Sequence, residues 1–141
     1  MRGARVAQQV VLRGFPWVEL SLGYVWIHML PVDNRWSVRR RVAEMSDPRA
    51  RHFHDPRRRA GRALAASLGA PGKILWDAYL LYPQGAVWDA TPPAPADWAH
   101  QLDADWAERA RHHTGKDLEL ELQRIMSELT KAPQYGQGCG R

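Results

Sequence analysis

The run from residue 18 to residue 30 constrains this chain more than any other feature. It opens with alternation, Val18, Leu20 and Leu22 against Glu19, Ser21 and Gly23. It then becomes almost continuous through Tyr24, Val25, Trp26, Ile27, His28, Met29 and Leu30, until Pro31 ends it. Alternation marks a half-buried strand, and an unbroken β-branched and aromatic run marks a strand covered on both faces. A strand of that kind belongs to an α/β layered domain, because helices must supply the covering layers.

The flanking segments supply those helices. Val6, Ala7, Val10 and Val11 form one stripe over residues 4–13, with Gly14 and Pro16 as stop signals. Val38, Val42 and Met45 form another, closed by Asp47-Pro48. Residues 49–54 predict a short strand. Asp55-Pro56 then predicts a helix start, with Asp as N-cap and Pro in the first turn. That helix carries Ala60, Leu64 and Leu68, and Gly69 follows as its stop. Ile74–Tyr82 and Ala86–Trp88 flank the turn Tyr82-Pro83-Gln84-Gly85 and predict an antiparallel hairpin.

Beyond the proline-rich connector 91–95, Asp97 is placed to cap a helix with Trp98, Leu102, Trp106 and Ala110. Leu118, Leu122, Ile125, Met126 and Leu129 define the last helix. With these two helical segments, interrupted at Thr114-Gly115, counted as one, the expected order is α-β-α-β-α-β-β-α in one domain over residues 1–130, with a disordered polar tail at 131–141. A chain of 141 residues, 45% apolar, can bury one real core.

This order, with HFHDPRRRAGRALAASLGAPGKILWDAYLLYPQGAVW and the motifs VWIHMLPVD, DPRARHFHD and PPAPADWAHQL, resembles the redoxin branch of the thioredoxin-like superfamily. It is similar to a group of bacterial thioredoxin-like proteins over roughly residues 3–129. The resemblance implies a three-layer α/β/α fold with a mixed sheet, a terminal hairpin and a last helix. It also implies a first strand and a CxxC motif just ahead of Met1, and thus an N-terminally incomplete domain. A cis-proline would face that motif near Trp76-Asp77, but the nearest proline is Pro71. Thiol–disulfide exchange needs an activated thiolate and a second, resolving cysteine. The only cysteine is Cys139, in the tail. The chain as written is therefore expected to be redox-inactive, with no catalytic residue and no cofactor carried over. The missing strand would leave an unpaired apolar edge on the 18–30 strand, a place for a protein partner or a second copy.

The residues themselves offer three further candidates. His52, His54 and Asp55 form an H-x-H-D cluster, and imidazoles two apart on a strand share a face. A metal there needs a third ligand from His28, Asp33 or Asp77, and a polar strand end with Asp55 as helix cap is the favoured reading. His28 and Asp33 lie at the carboxyl end of the long strand, where open α/β sheets hold ligands. With Trp76 and Asp77 they make a candidate functional edge. Trp26, Trp76 and Trp88 are expected in the core, and Trp98 and Trp106 on one helix face. His112 and His113 are expected to diverge on a helix.

Residues 35–62 hold ten Arg against three acids, and residues 97–129 hold eight acids against four bases. Two solvated faces of opposite sign explain this, and nucleic acid is disfavoured as a partner without a recognition motif. No apolar run approaches the about 20 residues of a membrane span. No export signal is written in the sequence, so the chain reads as cytoplasmic as written, while the compartment stays unassigned because a signal can lie upstream.

Overall fold

The computed structural model describes residues 2–31 and 35–131. The element order is α1 (Arg2–Ala7), which runs into a π-helical stretch (Gln8–Arg13), then β1 (Leu22–Ile27), α2 (Arg35–Glu44) and β2 (Ala50–Asp55). There follow α3 (Arg59–Ser67), β3 (Ala78–Leu81), β4 (Asp97–His100), a 3₁₀ turn (Arg109–Arg111) and α4 (Gly115–Lys131). The chain is mixed α/β, with the expected alternation of elements. No helix among the described residues is long and apolar enough to cross a membrane.

The strands form two separate ribbons. β1 pairs with β2 in parallel, from Leu22 opposite Ala50 to Ile27 opposite Asp55. β3 pairs with β4 antiparallel, from Ala78 opposite His100 to Leu81 opposite Asp97. No ladder joins the two ribbons.

The core is built around the second ribbon. Leu118, Leu122 and Ile125 of α4 bury against Ala99, with Val6, Val10, Tyr79 and Leu81 packed on them. Their i, i+4, i+7 spacing makes one face of α4 apolar, as the sequence predicts. Leu64 and Ala65 of α3 pack with Leu75, Trp98, Leu102 and Ala107. Val11, Phe15 and Met126 close a third cluster. From the first ribbon only Tyr24 joins the buried apolar set.

The first ribbon is instead held by polar clamps. The Arg49 guanidinium donates to the Leu12 carbonyl at 2.7 Å, at the end of the π-helical stretch, and Asp47 braces it at 3.2 Å. A cation is favoured there because the terminal carbonyls of a helix lack partners. Asp55 accepts the backbone N–H groups of Arg59, Ala60 and Gly61 at 2.8, 2.9 and 3.3 Å. Asp55 therefore caps α3, as expected, but the helix starts at Arg59 rather than Pro56. Arg58, in the left-handed region at φ 58°, turns the chain into it. Gly69 ends the segment at φ 80°, which suits glycine.

Four expectations are corrected. The hairpin partner of β3 is Asp97–His100, not Ala86–Trp88, which forms no strand. The helix expected from Asp97 is absent: Trp98, Ala99 and His100 are buried in β4, where side chains alternate between two packed layers. The i+4 spacing of Trp98, Leu102 and Trp106 was satisfied by a strand and the turn after it. Trp76 and Trp88 are 40% and 54% exposed rather than core, and Trp26 is half-buried. The 18–30 run yields only six strand residues, and Val25 is exposed, so β1 is not covered on both faces.

Asp97 does not cap a helix. Its carboxylate binds Arg111 at 2.5 Å and Arg124 at 3.0 Å, tying β4 to α4. Arg111 also stacks over Trp98, 5.3 Å from its ring centre. Burial opposes ionisation of Asp97, but hydrogen bonds from Arg111, the Trp98 amide and Arg124 prevail and hold its carboxyl below the usual range. A depressed carboxyl stabilises the fold above its unfolded value of about 3.9, and that stability is lost as pH falls through the folded value. Asp97→Asn is expected to weaken the fold at neutral pH and to flatten its acid dependence below about pH 4, measured by urea denaturation across pH.

Gly61 sits where β1, α3 and the chain before β3 meet. A Cβ there would stand 2.9 Å from Ile74 Cγ2, 3.0 Å from Ile27 Cδ1 and 3.0 Å from the Leu75 carbonyl oxygen. Gly61→Val is expected to destabilise the fold by about 1–3 kcal/mol, the usual cost of overpacking, read from the denaturation midpoint.

Candidate functional site

Parallel pairing of β1 and β2 brings three of the sequence candidates, His28, His54 and Asp55, to one end of the first ribbon. His54 lies opposite Trp26 in the ladder, and His28 follows β1 directly, its amide donating to the Asp55 carbonyl. Both side chains emerge on the same face, and their Nε2 atoms stand 2.7 Å apart. The rings meet edge to face at 4.6 Å between centres. One imidazole must therefore donate its proton to the other. Arg58 Nε donates to the His28 carbonyl at 2.7 Å and fixes the backbone of this corner.

His52 does not join them. It lies deeper on the same face, stacked on Tyr24 at 4.9 Å. Its Nδ1 accepts the Trp26 indole N–H at 3.2 Å and its Nε2 contacts the Met45 carbonyl at 3.3 Å. That pattern fixes one neutral tautomer and leaves no lone pair for a metal. Asp55 is equally engaged, as the cap of α3. The H-x-H-D cluster thus divides between three tasks. Asp33 lies outside the described residues.

Trp76 and Asp77 sit before β3. Asp77 takes the left-handed conformation at φ 48°, which aspartate tolerates better than most residues. Its carbonyl accepts the Gln101 amide at 2.9 Å and its carboxylate the Gln101 side chain at 3.2 Å. Asp77 therefore aligns β3 with β4. Ile27 and Leu75, the chain neighbours of His28 and Trp76, both close on Gly61, so the two halves of the candidate edge share one end of the molecule. No cis peptide bond occurs among the described residues.

The strand edges hold a feature that residue reading missed. The first turn of α1 touches both ribbons: the Tyr24 hydroxyl reaches the Ala4 carbonyl at 3.4 Å, and a Cβ at Gly3 would overlap the Tyr79 hydroxyl. Tyr24 belongs to β1 and Tyr79 to β3, and the two strands share no ladder. Each of these strands is paired on one side only. The apolar runs that contain both strands are visible in the sequence, but not that two such edges share one helix turn.

The far side of the first ribbon is apolar and open. Val25 is 37% exposed and its register partner Phe53 is 54% exposed. Arg51 lies beside them, exposed. His112 and His113 are not on a helix: His113 pairs with Asp117 at 2.6 Å, and the His112 ring lies 5.5 Å from that of buried His100. No protein-family model, no curated protein and no solved structure matches this chain.

Burial, and secondarily the Asp47 charge, pushes the Tyr24 phenol up to about 12. The folded chain then holds a proton that the unfolded chain releases at about 10. Stability present below about pH 10 is therefore lost as pH rises through about 12. Comparing ultraviolet titrations of the wild type and Tyr24→Phe should show one phenol fewer ionising near pH 12 in the variant.

Proposed function

We propose that this chain is a thioredoxin-like domain, of the lineage of thiol–disulfide oxidoreductases, that binds a strand of another polypeptide and performs no thiol exchange with its own residues. The carrying observation is the second, unpaired edge of β1, Leu22–Ile27, in a ribbon of only two strands. A two-stranded ribbon is marginal on its own, and an exposed strand edge is a template for another chain. The element order α-β-α-β-α-β-β-α supports the thioredoxin-like reading, as does the change from a parallel pair to an antiparallel one. A sequence with one cysteine cannot supply both an attacking and a resolving thiol.

The occupant is an extended, β-branched segment flanked by carboxylates. Main-chain hydrogen bonds to β1 would give affinity, and alternate side chains would meet the apolar surface at Val25 and Phe53. The carboxylates answer basic residues on this ribbon: Arg51 of β2 is exposed, and Arg41 of α2 stands over the Trp26 ring of β1 at 5.7 Å.

The test is amide hydrogen exchange of β1, alone and with a synthetic Val/Thr-rich peptide carrying Glu at both ends. The expected result is new protection of every second β1 amide, weakened by salt. No protection, or protection confined to other elements, overturns the proposal. Protection that instead rises with protein concentration, together with a dimeric sedimentation profile, reassigns the edge to a second copy and also overturns it. A disulfide-reduction assay is expected to stay at the uncatalysed rate.

A further inference from the structure

We infer that β1 and β3 are the two walls of a slot one strand wide, and that a single extended segment of a partner polypeptide fills it by pairing with both ribbons at once. This deepens the strand-binding proposal and rests on it. Main-chain direction carries it. In the parallel ladder the Leu22 and His28 amides donate to the carbonyls of Arg49 and Asp55, so the backbone groups of Leu22, Tyr24, Trp26 and His28 face β2. Those of Gly23, Val25 and Ile27 face the other way. In the antiparallel ladder the Gln101 amide donates to the Asp77 carbonyl, so Asp77, Tyr79 and Leu81 face β4. Ala78 and Leu80 face away from it. Among the described residues no backbone hydrogen bond reaches either free row.

The free rows face one another. On one face, Tyr24 and Tyr79 both reach the first turn of α1, at Ala4 and Gly3. On the opposite face, Ile27 and the chain at Ile74 and Leu75 meet at Gly61 of α3, and Ala78 and Leu80 pack with Leu64 and Ala65 of the same helix. One helix thus spans β1 and β3 on each face. The end of β1 lies by the residues that lead into β3, so the two strands run in opposite directions. Their Cα atoms stand mostly more than 8 Å apart. Directly paired strands lie about 4.7–4.9 Å apart, and twice that spacing is the room one added strand takes. A strand laid there joins the two ribbons into one sheet, parallel to one wall and antiparallel to the other. Covered by α1 and α3, its centre carries β-branched side chains on both faces. Positive charge stands near both ends of β1, with Arg51 opposite Gly23 and Arg58 on the His28 carbonyl, and this suits a carboxylate at each end of the segment.

The experiment follows amide exchange residue by residue by NMR on the full chain, alone and with the Glu-ended Val/Thr peptide. At about 100 times its Kd the peptide is expected to slow Gly23, Val25, Ile27, Ala78 and Leu80 together by about a hundredfold, and the already paired Tyr24 and Tyr79 by less. Val25→Pro removes one donor from the β1 row, at an edge where proline is tolerated. With an unchanged circular dichroism spectrum it is expected to abolish the protection of Ala78 and Leu80 as well, because one strand spans both walls. Should that variant unfold, the wild-type pattern decides alone. Protection of Gly23, Val25 and Ile27 without Ala78 and Leu80 overturns the slot and leaves the β1 proposal standing, as does β3 protection that survives Val25→Pro in the folded variant. Slow exchange of Ala78 and Leu80 before peptide is added shows that wall already paired and also overturns the slot. No protection in either row overturns both proposals.

Discussion

The structure depends on a helix turn that does the work of a strand. Two ribbons lie in one domain without sharing a backbone hydrogen bond, and the first turn of α1 reaches both through Tyr24 and Tyr79. Backbone groups are obligatory hydrogen-bonding partners, so a strand edge left unpaired must face water or another chain. The helical layer fixes where the ribbons stand, and the edges themselves stay available.

The two ribbons are stabilised by different physics. β3–β4 is embedded in side chains from α1, α3 and α4 and is locked by the Asp97–Arg111–Arg124 network. β1–β2 is held by directed polar contacts: Arg49 on the end of the π-helical stretch, Asp55 on the start of α3, and the stacked Tyr24, Trp26 and His52 rings. Polar clamps position a ribbon but leave surface uncovered, and Val25 and Phe53 are that surface. The same openness exposes the imidazole pair at the ribbon's end. A core-buried ribbon could offer neither feature.

Much of the element pattern was legible. Helical periodicity at Leu118, Leu122, Ile125 and Met126 locates α4, and the Asp55-Pro56 pair marks Asp55 as the cap whose carboxylate takes three amides of α3. The failures share a cause. Trp98, Leu102 and Trp106 have helical spacing, but the spacing of three residues does not distinguish a helix from a strand followed by a turn. Only the partner strand, fixed by the Asp77–Gln101 contacts, decides. The hairpin assigned to residues 74–88 failed likewise, because a turn signal at Pro83–Gly85 says where the chain bends and not what it returns to pair with.

By itself, the sequence determined the alternation of elements, the basic first half and the acidic second, and the lack of a cysteine pair. These are properties of residue type and spacing, which survive without coordinates. Tertiary structure alone decided that His28 meets His54 while His52 turns away, because parallel register sets which side chains two strands bring together. It also decided that β1 and β3 each keep one free edge beside the same helix turn. Contacts between residues 20 or more positions apart leave no local signature, so no reading of periodicity could have placed them.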